Sequence, residues 1–369
     1  MHRIHRILVG AGFGMLLAAL LLALGTGAAG ASPGRGRFGS IATIGSTVPP
    51  NGDINPYGVA VVPRSMGNLV AGNILVSNFN AASNLQGTGT TVVQLTPRGT
   101  LTVFAQIDAA HLPGPCPGGV GLTTALVVLR TGWVIVGSLP TTNGMADTAK
   151  AGCLLILNSR GHVVETFSGK PINGPWDMTA LDQGEEATLF VTNVLNGTVA
   201  GHGQVVNRGT VLRIGLDLSE GQSPEMTSEV IIGSKFAERT DPAALVVGPT
   251  GVGLGSNGAL YVADNVGNRI AAIPNALHRM TSDGTGTTIT SGGGLNAPLG
   301  LTVYTNGDIL TVNAGDGNLV ETAPQGQQVQ VVTLDPAGAG TLFGLAVAPN
   351  NEGVYFVDDG TNTLDLLRA

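Results

Sequence analysis

Aromatic residues make up only 4% of this 369-residue chain, and charged residues only 11%. So few rings argue against a sugar-binding surface or a base-stacking platform built from rows of aromatics. Lys and Arg number 17 against 24 Asp and Glu, a formal net charge of −7. The basic residues are scattered, so no face can neutralise a run of phosphates, and nucleic acid is excluded as a partner. Attraction to an anionic membrane surface is disfavoured for the same reason. Cysteine is almost missing: Cys116 and Cys153 are the only two. Two thiols cannot build a structural zinc site, whereas an even pair in an oxidising compartment predicts a disulfide. No G-x-S-x-G nucleophile turn occurs. The Gly-rich "GPTGVGLG" enters a strand and not a helix, so it is no phosphate cradle.

The chain has glycine in quantity, 57 residues, with 20 Pro and a 43% hydrophobic content. That mixture suits a large core interrupted by many tight turns. At the N-terminus, Arg3 and Arg6 precede an apolar stretch ending near Leu24, and Ala29-Gly30-Ala31 offers a small-residue cleavage site. Residues 1–31 therefore read as a signal peptide, which predicts a secreted or periplasmic, extracytoplasmic protein. No further membrane-length segment follows, so no membrane association is expected beyond the signal.

After the signal no helical period persists over any long window. Short runs of Val, Ile, Leu and Thr alternate with Gly, Pro, Asn and Asp, the pattern of strands and turns. The runs repeat in groups of four. "PYGVAVV", "GNILVSN", "GTTVVQLTPRG" and "TLTVFAQ" form the first group, and the same order returns five more times. A four-stranded unit recurring every forty or more residues predicts an all-β, six-bladed β-propeller. The expectation is a single domain over 32–369, with blades near 53–110, 111–170, 171–236, 246–293, 294–338 and 339–369. The last blade lacks a strand, and "RFGSIATIG" near the start is a spare one. Residues 37–46 should complete the sixth sheet and close the ring, leaving no unpaired edge at the join.

The stretch "PTGVGLGSNGALYVADNVGNRI" resembles the NHL repeat, through Pro249, Gly251, Val252, Gly258, Tyr261, Val262, Asp264, Asn268, Arg269 and Ile270. "PLGLTVYTNGDILTVN" and "LFGLAVAPNNEGVYFVDDGTN" are degenerate copies. More distantly, the blade pattern is similar to the gluconolactonase-like propellers. The resemblance implies a six-bladed ring that hosts either a binding module or an enzyme. In the gluconolactonase-like group a Glu, an Asn and an Asp hold a divalent metal in the central channel. This chain departs from that pattern: its first blade reads "INPYGVA" where Glu-Gly-Pro is expected. The third position of each first strand is Gly58, Thr123, Asp177, Gly251, Gly300 and Gly344, so Asp177 alone is acidic there. A divalent cation such as calcium would need Asn193, Asp264 or Asn78 to turn inward beside it.

Loop lengths separate the two halves of the ring. Between second and third strands, blades four to six carry short turns such as "DNVGN" and "DDGTN". Blades one to three carry "NFNAASNLQGTG", "LPTTNGMADTAKAG" and "VLNGTVAGHGQVVNRG", and the connection into blade two is also long. All four insertions fall on one face, and concentrated long loops carry function more often than plain connection. Trp176, Asp177, Asn78, Asn193, His111 and His202 are the candidate ligand-binding residues. Trp133 is expected to pack between sheets. The favoured reading is a monomeric binding module for a small molecule, a glycan or an extracellular protein. The alternative is a metal-dependent lactonase or related hydrolase at the channel. Both cysteines fall beside the insertions, so the exported protein should show no free thiol under denaturing, non-reducing conditions. Two titratable thiols would contradict the predicted bridge.

Overall fold

The computed structural model describes residues 37–369; the predicted signal peptide lies outside the described residues. The chain forms six antiparallel sheets arranged as the blades of a propeller. After β1 (Ser40–Ser46), blade 1 comprises β2 (Ile54–Val61), β3 (Ile74–Asn80), β4 (Thr91–Leu95) and β5 (Leu101–Gln106). Blade 2 comprises β6 (Leu122–Val128), β7 (Val134–Ser138), β8 (Cys153–Leu157) and β9 (Val163–Phe167). Blade 3 comprises β10 (Gly174–Asp182), β11 (Glu186–Val194), β12 (Val206–Asp217), β13 (Glu225–Asp241) and β14 (Leu245–Val247). Blade 4 is β15 (Pro249–Leu254), β16 (Leu260–Asp264), β17 (Arg269–Ile273) and β18 (Thr287–Ser291). Blade 5 is β19 (Pro298–Val303), β20 (Ile309–Asn313), β21 (Asn318–Thr322) and β22 (Gln328–Thr333). Blade 6 is β23 (Leu342–Val347), β24 (Gly353–Asp358) and β25 (Thr363–Arg368), completed by β1.

Alternate side chains of each sheet face the two neighbouring blades, and apolar clusters fill the spaces between them. Leu75, Leu126 and Leu155 pack between blades 1 and 2. Phe190, Phe236 and Val262 pack between blades 3 and 4. Tyr261, Leu301 and Ile309 do so between blades 4 and 5. Every first strand starts with a bulge, as at Pro249/Val252 and Pro298/Leu301. Blade 2 carries a longer bulge, because Leu122 pairs with Ser138 while Leu126 pairs with Val136. That extra residue corrects the sequence alignment: Ala125, not Thr123, sits where the other blades have Gly58 or Gly251.

Blade 3 departs furthest from the repeat. β13 is 17 residues long and continues past the expected blade end at residue 236. Its last residues turn back on themselves, and Arg239, Thr240 and Asp241 pair with Val247, Val246 and Leu245 of β14. Leu245–Val247 therefore belongs to blade 3 and not to the start of blade 4.

The ring closes through β1, which pairs with β25 from Ser40↔Arg368 to Ser46↔Thr363. The closing segment also reaches into blade 5. Phe38 is buried at 3% exposure, edge-on to Tyr304 at 5.4 Å. Its backbone exchanges two hydrogen bonds with the Gln330 side chain, at 3.1 and 2.8 Å. Phe38→Ala should therefore cost about 3–5 kcal/mol in urea-induced unfolding, the range for emptying a buried ring site. A loss below about 1 kcal/mol would show that the closing segment is only loosely held.

Candidate functional site

At four of the six waist positions, Gly58, Gly251, Gly300 and Gly344, the inner strands approach so closely that a side chain is excluded. A Cβ on Gly251 would lie 2.3 Å from the Leu299 carbonyl oxygen, and one on Gly344 would lie 2.2 Å from that of Tyr57. Gly300 is tighter still against Phe343. These glycines do not line an open pocket; they let neighbouring blades touch. Asp177 is the one residue of this ring with a functional group. Its Oδ1 accepts the N–H of Met178 at 2.8 Å, and its Oδ2 accepts the N–H of Val252 in blade 4 at 3.1 Å. Thr192 adds a second stitch: it accepts from Asp177 N and donates to the Thr250 carbonyl at 2.6 Å. Burial pushes the Asp177 carboxyl up to about 8, more than its two backbone hydrogen bonds lower it, so it is neutral at pH 7.

Toward the long-loop face the axis is filled. Tyr57 stacks on Phe343 at 3.7 Å and on Phe79 at 4.3 Å. Trp176 lies in the same cluster with Leu245, Val246 and Leu299. Its indole N–H donates to the Val246 carbonyl at 3.0 Å, so the hairpin end of blade 3 serves as a plug. Trp176 is thus a packing residue and does not wall a ligand pocket. Below the waist a cavity of about 300 Å³ runs from Asp177 along the inner strands toward the opposite face, past Val59, Leu126 and Leu345.

Asn78, Asn193 and Asp264 do not turn into the axis. Each lies at or within two residues of the end of a second strand, opposite a proline near the start of the first: Pro56↔Asn78, Pro175↔Asn193 and Pro249↔Asp264. From there they organise turns and blade connections. Asn78 donates to Thr47 O at 3.0 Å. Asn193 Oδ1 accepts the N–H groups of Asn173 and Gly174, both at 2.9 Å. Asp264 accepts Gly267 N at 3.0 Å and Arg269 Nε at 2.8 Å. Asn268, at φ 47°, accepts Ala297 N at 2.9 Å. Asn362, at φ 55°, does the same for Asn55 N at 2.7 Å. The Asp-x-x-x-Asn spacing thus makes a turn and staples it to the next blade. These donors do not fit a divalent cation. Both oxygens of Asp177 accept backbone N–H groups, Asn193 Oδ1 and both Asp264 oxygens are likewise engaged, only Asn78 Oδ1 is left without a partner, and no group of three His, Cys, Asp or Glu converges among the described residues.

The long-loop face has its own geometry. The loops of blades 1 and 2 bind each other: Thr141 donates its N–H to Gly87 O at 3.0 Å, and Gly144 packs so close to Leu85 that a Cβ there would lie 3.0 Å from it. Gln86 donates to Pro242 O of the blade 3 plug at 2.7 Å. The Cys116–Cys153 disulfide ties the connection into blade 2 to the first residue of β8, with Cα atoms 5.2 Å apart. Leu85 and Met145 stand at the joined loop tips, 40% and 60% exposed. His111 is also on this face but exposed, its Nδ1 2.6 Å from Asp108, and that hydrogen bond lowers the Asp108 carboxyl. His202 occupies a turn of the blade 3 loop at φ 48°. No hydrogen bond joins either histidine to Asp177 among the described residues. The plug, Leu85 and Met145 were missed in sequence; an apolar residue inside a long polar loop was the available signal.

No protein-family model matches the chain, and no curated protein matches it. Solved structures do. A gluconolactonase of Xanthomonas campestris aligns over 90% of both chains at 13% identity, TM-score 0.56. The PQQ-bound aldose sugar dehydrogenase of Streptomyces coelicolor aligns over 90% of this chain and 98% of that one, at 15% identity and TM-score 0.56. Virginiamycin B lyase of Staphylococcus aureus aligns over 89% of this chain and 99% of that one, at 14% identity and TM-score 0.51. At these identities the likeness shows the shared six-bladed fold alone.

The buried carboxyls have a measurable consequence. Burial raises Asp177 to about 8 and, in the blade 3 hairpin, Glu238 also to about 8. The native state keeps protons that the unfolded chain releases above about pH 4. Their stabilisation is complete below that range and is lost as pH rises toward 8, by at most about 1.4 kcal/mol per pH unit for each group. The melting temperature should fall between pH 5 and 8, with a shallower fall in Asp177→Asn. A melting temperature that rises over this range would contradict the assignment.

Proposed function

We propose that the chain is an exported propeller of the NHL type that acts as a binding module, taking an extracellular protein on the long-loop face of blades 1 to 3. The observation that carries this reading is the platform on that face. The axis beneath it is plugged, so a partner meets a floor and not a channel. The loops are bonded to one another and tied down by a disulfide, so little ordering entropy is lost on binding. At their junction Leu85 and Met145 expose apolar surface in an otherwise polar setting, the arrangement of an interface centre with a polar rim. A metal-dependent lactonase at the axis has less support, because the side-chain oxygens of Asp177, Asn193 and Asp264 are engaged by the fold and only Asn78 Oδ1 is left without a partner.

The test is capture from the protein's own extracytoplasmic fraction, followed by titration of the purified partner against wild type and the double variant Leu85→Asp, Met145→Asp. A saturable partner whose affinity drops about tenfold or more in the variant supports the proposal. An unchanged affinity would move the interface elsewhere. Calcium-dependent hydrolysis of lactones by the wild type, lost in Asp177→Ala, would replace the binding reading with the enzymatic one.

A further inference from the structure

On the face opposite the long loops, three hairpin turns converge between blades 2 and 3. They are 129–133, with Gly132 at φ 85°; 182–186, with Gly184 at φ 96°; and 217–225, with Gly221 at φ 87°. With Arg64 and Met66 from blade 1 they enclose a cleft of about 490 Å³, within the size range of small-molecule sites. Trp133 forms part of its wall. Trp133 packs between sheets, as expected, against the apolar cluster of blades 2 and 3, but it is only half-buried and also faces the cleft.

Some polar groups here are left without protein partners among the described residues. Thr131 Oγ1 makes no hydrogen bond but is buried behind the cleft wall, out of reach of a ligand. Of the two indoles, that of Trp176 is bonded to the protein; that of Trp133 has no acceptor among the described residues. Arg64, Glu185 and Glu220 all line the cleft, and none takes part in an ion pair among the described residues. The other guanidinium, that of Arg130, is already engaged by Asp182 at 3.5 Å. A half-buried indole with an unbonded N–H, set in a cleft among side chains of both charges, has the mixture of apolar wall and few polar groups found in ligand sites.

We propose that this cleft binds a neutral saccharide. The charges decide the class. Glu185 and Glu220 oppose an anionic ligand, and the unpaired Arg64 opposes a cationic one. Vicinal hydroxyls both donate and accept, so a guanidinium, a carboxylate and an indole N–H can all be satisfied by one sugar ring. The C–H face of that ring packs on the apolar body of an indole, whose N–H supplies a polar handle. The low aromatic content excludes rows of rings, not one ring placed over hydrogen-bonding groups. This site is separate from the long-loop face and stands whether or not that face binds a protein.

The experiment titrates the full chain with maltohexaose, cellohexaose and triacetylchitotriose, following tryptophan emission and calorimetric heat. Oligogalacturonate and glucosamine oligomers serve as the anionic and cationic arms. The expected result is saturable binding of at least one neutral probe with a shift in Trp133 emission. Trp133→Ala should weaken that binding about tenfold or more, and Arg64→Ala by a few-fold. Arg64 is exposed, so its variant decides the matter if Trp133→Ala folds poorly. Three results overturn the proposal: no saturable binding of any neutral probe, preferential binding of a charged arm, or an affinity unchanged in the folded variants.

Discussion

The contact between neighbouring inner strands at the waist governs the rest of this propeller. Five of the six waist positions carry Gly or Ala because a larger side chain would strike the next strand. Gly300 against the Phe343 carbonyl is the tightest example. The exception, Asp177, replaces that contact with a hydrogen bond to Val252 N, so the side chain joins the blades where backbone proximity does so elsewhere. Strands brought this close leave little axial space, and Tyr57, Trp176 and Phe343 fill it on one side. A fold that commonly offers a central channel here offers a plugged floor and a short cavity beneath.

That constraint shifts recognition to the periphery, where the two halves of the ring differ. In blades 4 and 6 a short Asp-x-x-x-Asn turn staples each blade to the next through Asn268 and Asn362. Blades 1 to 3 have long loops in the same place, held instead by hydrogen bonds between loops, by the Cys116–Cys153 bridge and by the extended blade 3 hairpin. The opposite face gathers turns of blades 1 to 3 around the cleft where Trp133 stands. Each face thus has one elaborated sector, and the two sectors share blades 1 to 3.

Much of the architecture was legible because strand and turn residues act locally. Gly, Pro and Asn mark turns wherever they occur, and a spare strand at one end answers a missing strand at the other. The disulfide was legible because only two cysteines exist, and both fall beside insertions on one face. The site was less legible because direction is a tertiary property. Glycine reads the same whether it borders open space or a touching strand, as at Gly251. Asn193 and Asp264 are metal-ligand residue types, yet strand pairing turns them toward blade connections. The longer bulge that brings Ala125 to the waist depends on the pairing of β6 with β7. The run "GSKFAERTDPAALVV" has no clean alternation, so the extended hairpin that supplies the plug left no period to follow.

Hydrogen–deuterium exchange of the two indole N–H groups tests the sealed axis most directly. Trp176 donates to a buried carbonyl beneath the plug, whereas Trp133 borders an open cleft. The account predicts exchange of the Trp176 indole only through global unfolding, while the Trp133 indole exchanges as fast as a solvent-exposed one. Rapid exchange at Trp176 under native conditions would show an open axis on the long-loop face and contradict the account.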